Sequence, residues 1–155
     1  MPKPVYSFAA SLVGFPGVRR TVAIRSDQTL ADLHAVLRLA FEWDDDHLYS
    51  FWLDGKFWSR GGVEYTHPWH AARPGPLAGF GLGPEPQSAE THLDHLALAR
   101  GQRIAYVFDF GDEWRVRLTL RQITADDGLP YPRLLKAVGD APPQYPDLEE
   151  LADIA

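Results

Sequence analysis

The sequence has no cysteine and a single methionine among its 155 residues. Without thiols it forms neither disulfides nor zinc–thiolate sites, which fits a reducing compartment, and we expect a cytoplasmic protein. No stretch approaches the roughly 20 consecutive apolar residues that a membrane-spanning helix needs. The first residues lack the long apolar block of a secretory signal, so we expect no membrane partner.

Basic residues are also outnumbered by acidic ones: the chain has 15 lysines and arginines and 21 aspartates and glutamates, which gives a formal net charge of −6. This balance argues against a general nucleic-acid binder, which carries a broad basic surface. The sequence also lacks the Gly-x-Ser-x-Gly elbow, the phosphate-binding Gly-x-x-x-x-Gly-Lys-Ser/Thr loop and the His-Glu-x-x-His stretch. It therefore offers no visible covalent catalyst and indicates no particular cofactor.

Apolar residues are plentiful, at 45% of the chain, and we expect residues 1–155 to form one domain. Alternating apolar residues predict strands at 5–13, at 19–25 and at 47–55, the last with a partner at 56–59, and two more strands within 104–120. Apolar residues at helical spacing predict a helix at 29–43 and a short helix at 91–99. Thr29 and Asp32 have the spacing of a capping box. The order ββαβ(β)αββ indicates an α+β fold, with a mainly antiparallel sheet and helices packed on one face.

Proline and glycine are concentrated in two segments. Residues 66–90 hold five prolines and four glycines, which predicts a long loop that is functional or mobile. The Gly-Phe-Gly-Leu-Gly stretch at 79–83 inside it is no dinucleotide fingerprint, since no strand precedes it. A proline-rich tail begins near residue 126 and ends in a short acidic helix or a frayed end at 147–155.

The stretch AYVFDFGDEWRVRL at 105–118 places acids between two predicted strands. A two-residue Gly-Asp loop would pair Phe108 with Arg115 and mix aromatic and charged side chains on one face. A three-residue loop, Gly111 to Glu113, gives one apolar face from the pairs Phe110–Trp114, Phe108–Val116, Tyr106–Leu118 and Ile104–Leu120. Burying each large side chain contributes roughly 1.5–3 kcal/mol, so we predict the three-residue loop or a bulge.

On this register Asp109 lies opposite Arg115, on the second face of the sheet. Arginines alternate with other residues along the same face: Arg19, Arg25, Arg115, Arg117 and Arg121. An arginine-lined patch on an acidic chain is suited to phosphate or to an acidic partner. The alternative is the ordinary solvated face of a half-buried sheet.

Several segments together resemble the plasmid pRiA4b ORF-3-like family. The most specific part is Tyr-x-Phe-Asp-Phe-Gly-Asp-x-Trp at 106–114, and further matches are Arg19-Arg20, Leu33-His34, Trp43, His47-Leu48 and Phe51. The resemblance covers most of the chain apart from the proline-glycine loop. It implies a fold and a setting among mobile genetic elements, and no particular mechanism. The tail at 142–147 departs from the family's pattern of acids, a cysteine and glycines, so a site built there in other members is altered or absent here.

Four polar residues form a candidate chemical cluster: His34, His47, Asp109 and Asp112. A carboxylate beside an imidazole serves acid–base chemistry or orients a metal-bound water. The plainer interpretation makes His34 a hydrogen-bonded core histidine and Asp112 a turn residue. Four further imidazoles have spacings compatible with zinc or with an ordinary surface: His67, His70, His92 and His95.

Five tryptophans are suited either to the core or to stacking on single-stranded nucleic acid: Trp43, Trp52, Trp58, Trp69 and Trp114. Only Trp69 falls in the loop, and we expect it to contact a partner.

Three hypotheses follow for the function. The first is a non-enzymatic binding domain that uses the arginine-bearing face or the 66–90 loop, with a protein or a nucleic acid as partner. The second is an acid–base or metal-dependent hydrolase that uses the His/Asp cluster. The third is nucleic-acid recognition through four arginines: Arg19, Arg20, Arg115 and Arg117.

Overall fold

The computed structural model describes residues 3–44, 47–72 and 85–144. One eight-stranded sheet dominates these residues, in the order β5-β4-β3-β6-β7-β1-β2-β8. All strand pairs are antiparallel except β4 and β5, which are parallel, so the sheet is mixed. The elements are β1 (Val5–Leu12), β2 (Arg19–Arg25), α1 (Leu30–Ala40), β3 (Tyr49–Trp52), β4 (Glu64–Thr66), α2 (Pro68–Ala71), β5 (Gln87–Ser88), a 3-10 turn (Leu93–His95), β6 (Arg103–Phe108), β7 (Trp114–Thr124) and β8 (Arg133–Val138).

The expected α+β fold, with helices packed on one face in the order ββαβ(β)αββ, is wrong. Strands dominate the described residues, and of their two α-helices only α1 exceeds one turn. The helix predicted at 91–99 reduces to the turn Leu93–His95, because the amides of Leu93 and Asp94 donate to the backbone carbonyls of Gln28 and Ser26. Those bonds tie the segment to the chain before α1, so a helical ladder does not form.

Two further element predictions also differ from the structure. Residues 56–59 form no strand; β4 pairs with β3 instead, joining Phe51 to Tyr65. The proline-rich tail contains β8, an edge strand that pairs with β2. The stretch at 79–83 and the acidic end at 147–155 lie outside the described residues.

The first hairpin and the long helix are confirmed. Strands β1 and β2 pair antiparallel, with Phe8 opposite Val22. Helix α1 begins at a complete capping box, in which the Thr29 hydroxyl accepts from the amide of Asp32 and the Asp32 carboxylate accepts from the amide of Thr29. This reciprocal pair satisfies two amides that the first turn of a helix leaves without partners.

The main core lies between α1 and one face of the sheet, which we call the inner face. Helix α1 contributes a continuous buried stripe: Leu30, Leu33, His34, Val36, Leu37 and Ala40. The strands supply large aromatic rings opposite it, among them Phe8, Phe51, Tyr106 and Phe108. The other side of the sheet, the outer face, is covered only in part, by a small apolar cluster centred on Trp52 and Val107.

The register of β6 and β7 differs from the prediction by two residues. Phe108 pairs with Trp114 and Val107 with Arg115, so the connecting loop has five residues, 109–113. The prediction that Asp109 lies opposite Arg115 is therefore wrong. Because side chains alternate with a period of two, a shift of two residues keeps Tyr106, Phe108 and Trp114 on the inner face.

The longer loop has a local physical cause. Asp109 and Glu113 adopt left-handed backbone conformations, with φ of +64° and +52°, and the Glu113 amide donates to the Asp109 carbonyl. These conformations end both strands early. Phe110, predicted to face Trp114, packs instead against the outer-face cluster.

Within the described residues, no helix has the length and apolarity needed to cross a bilayer.

Candidate functional site

The acids of the Phe-Asp-Phe-Gly-Asp-Glu-Trp stretch build the bend. One carboxylate oxygen of Asp109, Oδ1, accepts hydrogen bonds from the amides of Gly111 at 3.1 Å and Asp112 at 3.4 Å. The carboxylate of Glu113 accepts from the indole Nε1 of Trp58 at 2.6 Å. An aspartate that bonds the amides two and three residues later is a common way to hold a turn, and Asp tolerates positive φ better than most residues.

The second carboxylate oxygen of Asp109 lies 3.7 Å from Nε2 of His47, so the two groups form an ion pair when the imidazole is protonated. The Asp109 side chain is 13% exposed and the His47 side chain 35% exposed. This pair joins two residues of the predicted His/Asp cluster. Asp112, the third member of that cluster with a place at the bend, is exposed and contributes its backbone amide to the bend's hydrogen bonds.

His34 lies on the buried face of α1 and belongs to the aromatic core. Its Nδ1 lies 2.7 Å from the Tyr106 hydroxyl, and its ring stacks on Tyr49 at a centroid distance of 3.6 Å. The rings of His34 and His47 both lie 5.7 Å from Phe108. The structure thus builds two polar contacts near one phenylalanine, a buried His34–Tyr106 contact and a half-exposed His47–Asp109 contact.

Trp43 and Trp114 pack at the same edge of the core. The indole of Trp43 stacks on Phe108 with centroids 4.6 Å apart, and the Trp114 indole lies 6.1 Å from Trp43. Aromatic pairs in such geometries contribute about 0.5–1.5 kcal/mol beyond the area they bury. The aromatic residues of the signature therefore stabilise the junction of α1, β6 and β7.

A cleft of about 360 Å³ opens beside the His47–Asp109 pair, lined by His47, Leu48, His67 and Trp69. The amide of Trp69 donates to Nδ1 of His67 at 3.0 Å, so the neutral ring carries its proton on Nε2. Trp69 is 51% exposed on the short helix α2. The cleft is large enough for a small-molecule ligand, and its walls combine imidazole and indole groups.

The histidines weighed as zinc ligands fall into separate places. The ring of His70 packs against Phe110, whereas His92 donates from Nδ1 to the Asp27 carbonyl and His95 lies 3.6 Å from Asp94. Among the described residues, no three His, Asp or Glu side chains are grouped so as to hold a metal ion.

The paired arginines of the first hairpin lie on opposite faces of the sheet, because the side chains of neighbouring strand residues point to opposite sides. Arg20 is 4% exposed and points to the inner face. Its guanidinium donates to the carbonyls of Ala40 and Val138, each at 2.8 Å, and lies over the Phe41 ring. Arg20 thus joins β2 to the end of α1 and to β8, whereas Arg19 is exposed on the outer face.

Arg115 and Arg117 lie on the outer face over the ring of Phe57, at 5.4 and 5.9 Å. Arg115 also lies 3.4 Å from the Glu113 carboxylate. Such cation–π contacts contribute about 0.5–1 kcal/mol at exposed sites. Both arginines help to hold the loop that covers the outer-face cluster.

A second concavity, of about 250 Å³, opens on the outer face across strands β1, β2, β7 and β8. We call it the basic pocket. Three exposed cationic side chains border it, and small residues form its floor: Arg19, Arg121 and Lys136 around Ala9, Ser11 and Thr21. In the part of the chain that the structure describes, no carboxylate is paired with any of these three cations.

Lys136 is the functional candidate that the sequence reasoning missed. It lies on β8, in the tail predicted to be irregular, and pairs across the sheet with Thr21. The signal was present in the run Arg-Leu-Leu-Lys-Ala-Val at 133–138, a short segment free of proline and glycine between two proline-containing stretches.

Comparison with known proteins adds the family. The profile of the plasmid pRiA4b ORF-3-like proteins matches residues 5–149. The chain belongs to this family. The uncharacterized protein y4hQ of Sinorhizobium fredii (strain NBRC 101917 / NGR234) is 26% identical over 136 residues, which cover 83% of this chain and 59% of the relative's length.

The fold is shared with a solved structure, that of MM3350, a protein of unknown function from Methanosarcina mazei Go1. The TM-score is 0.70 with 22% sequence identity, over 93% of this chain and 74% of that chain. At this identity the likeness shows the fold. The family membership accounts for the resemblance seen in residues 106–114, whose side chains build the bend and the aromatic core around it.

Proposed function

We propose that this chain is a binding domain whose contact surface is the outer face of the sheet around the basic pocket, and that its partner is anionic. The observation that carries the proposal is the concave group Arg19, Arg121 and Lys136, with no carboxylate paired to it in the described part of the chain. A chain with a net charge of −6 has many acids with which surface cations could pair. Three cations left together favour an anionic ligand.

The hypothesis of nucleic-acid recognition uses four arginines, of which two are engaged within the protein: Arg19, Arg20, Arg115 and Arg117. Arg20 is buried and bonded to three backbone carbonyls, and Arg115 is engaged by Glu113 and Phe57. A nucleic acid would therefore rest on the cations of the basic pocket and on Arg117. The setting among mobile genetic elements, implied by the family resemblance, remains a prediction.

Retention on a heparin column during a salt gradient tests the proposal with a matched pair of double variants. Arg121→Gln/Lys136→Gln removes two charges from the basic pocket. Lys56→Gln/Arg60→Gln removes two exposed charges from the loop after β3. We expect the pocket variant to elute at clearly lower salt than the loop variant, because local charges dominate a contact when distant ones are screened. Equal elution of the two variants would contradict a contact surface at the pocket.

A second candidate function is acid–base hydrolysis at the 360 Å³ cleft, favoured by the 3.7 Å contact of His47 with Asp109. His47 would act as the general base, and Asp109 would orient its ring and stabilise the imidazolium. Purified protein would be assayed against nitrophenyl esters and phosphoesters, with His47→Gln compared to His92→Gln. Loss of turnover only in the His47 variant supports this function, and absence of turnover in the unaltered protein removes it.

A further inference from the structure

We infer that the basic pocket holds a single doubly charged phosphate group, as inorganic phosphate or as a monoester, between Arg19, Arg121 and Lys136. This inference rests on the proposed function and specifies its ligand. At about 250 Å³ the pocket is smaller than the roughly 300–1,000 Å³ of sites that enclose larger organic ligands. It is suited to one compact anion bound at the surface, with any attached group left in solvent.

The charge and the hydrogen-bond donors of the pocket suit a phosphate group better than a carboxylate. A phosphate monoester carries about −1.5 to −2 charges at neutral pH and three strong acceptor oxygens. Arg19 and Arg121 present planar guanidinium groups that bind two oxygens at once, and Lys136 adds a compact positive charge. A carboxylate, with one charge and two oxygens, would leave part of this donor set unused.

The floor of the pocket supplies space and hydroxyl donors. In the β1–β2 pairing, Ser11 lies opposite Arg19 and Ala9 opposite Thr21, so all four side chains emerge on the outer face. The Ala9 side chain ends at Cβ, and this leaves the centre of the pocket open. The hydroxyls of Ser11 and Thr21 can donate to phosphate oxygens. Each hydroxyl can also accept a hydrogen bond, so it is compatible with a neutral ligand atom.

Irregularities in two strands position the cations. Between β1 and β7, Ser7 pairs with Gln122 and Phe8 with Leu120, so Arg121 is the extra residue of a bulge. Between β2 and β8, the register shifts directly after the pair of Thr21 with Lys136. Bulges are found next to functional sites because they redirect side chains. Here both border the same pocket.

The backbone under Arg19 is held in place from the other side of the sheet. The guanidinium of Arg20 donates to the carbonyl of Arg19 at 2.7 Å and to the carbonyl of Val138, on β8, at 2.8 Å. Because β8 also carries Lys136, this buried arginine fixes two of the strands from which the cations project. A site formed in advance loses less conformational freedom when it binds its ligand.

Calorimetric titration at constant ionic strength tests the inference with inorganic phosphate and with phenyl phosphate, a monoester. We expect both to bind, and the tighter of the two identifies the source of the group. Arg121→Gln should weaken binding about 10- to 100-fold, the effect of losing a charge-assisted contact. Arg60→Gln, with the same change of charge at an exposed loop position, should alter it less than about 2-fold.

Ser11→Glu provides a second variant that does not depend on the loss of a cation. A carboxylate at this exposed position, beside Arg19, would enter the pocket as an internal anion and abolish phosphate binding while the fold is kept. Circular dichroism would verify the fold. Unchanged phosphate affinity in both Ser11→Glu and Arg121→Gln would place the ligand elsewhere and overturn the inference.

Failure of the inference is separable from failure of the proposed function. If heparin retention depends on the pocket but neither phosphate ligand binds with a Kd below about 10 mM, the surface binds anionic ligands but contains no phosphate site. If a short single-stranded oligonucleotide binds at the pocket and phenyl phosphate does not, the ligand is a diester backbone. Either result rejects the doubly charged phosphate group and leaves the contact surface standing.

Discussion

Exchanging Arg20 for lysine keeps the positive charge but removes the planar fork. In the structure that fork donates at 2.8 Å to both Ala40, the last residue of α1, and Val138 on β8. A lysine ammonium lacks the fixed geometry that reaches both carbonyls, so at least one of these bonds is lost. A hydrogen bond to a charged group contributes about 1.5–3 kcal/mol, and a buried carbonyl left without its partner adds to that cost. We expect Arg20→Lys to lower the free energy of unfolding by about 2–4 kcal/mol.

The matched control is Arg19→Lys, the same substitution one residue earlier on the exposed side of the strand. Surface changes of this kind usually alter stability by less than about 0.5 kcal/mol. Urea unfolding followed by circular dichroism would give both values, provided that the slopes of the transitions agree. If the two variants unfold at the same urea concentration, Arg20 does not join β2 to α1 and β8, and the distinction drawn between the two arginines is wrong.

The remaining predictions concern the bend and its surroundings. Tyr106→Phe removes the hydroxyl that contacts His34 and should cost about 1–3 kcal/mol in urea unfolding. Asp109→Ala should destabilise by about 1–3 kcal/mol, whereas Asp109→Asn, which keeps the turn acceptor and tolerates positive φ, should cost less than half as much in the same assay. Burial acts to raise the pKa of Asp54, but hydrogen bonds from the Ser59 hydroxyl and a backbone amide outweigh it and lower that pKa. This contribution to stability is present above the unfolded value of about 3.9 and is lost as pH falls through the lower folded pKa, so an NMR titration of Asp54 should show a midpoint below about 3.9.

Local signals in the sequence were sufficient for the first hairpin and for α1. Alternation along residues 5–12 and 19–25, with a glycine-proline turn between them, needs no information from distant residues. The capping box of Thr29 and Asp32 is equally local, and the structure contains it in full. These elements lie where sequence pattern and tertiary packing agree.

The register at the bend could be predicted only in part. The alternation of aromatic residues placed Tyr106 and Phe108 correctly on the inner face, since any even shift gives the same faces. The length of the loop depended on left-handed conformations at Asp109 and Glu113, and on a second apolar cluster that takes Phe110. Neither the left-handed conformations nor this cluster can be predicted from the local sequence, because both depend on the loop after β3 packing on the outer face.

The candidate site was harder to predict because it is assembled from distant strands. Alternation predicted Arg121 on the same face as Arg19, but not the bulge in which it lies, and Lys136 comes from an edge strand inside the tail that the sequence marked as proline-rich. The burial of Arg20 follows from where α1 ends, some twenty residues later in the chain. A sequence pattern shows which residues alternate, whereas the tertiary fold decides which alternating residues meet.

The most direct test of the proposed phosphate site is NMR mapping of amide shifts during titration with inorganic phosphate. The account predicts saturable shifts that centre on Ser11, Thr21, Arg121 and Lys136, together with their neighbours on β1, β2, β7 and β8. Shifts that centre instead on His47 and Trp69 would place the anion in the cleft that these two residues line. The absence of any saturable shift would contradict a phosphate site on the outer face.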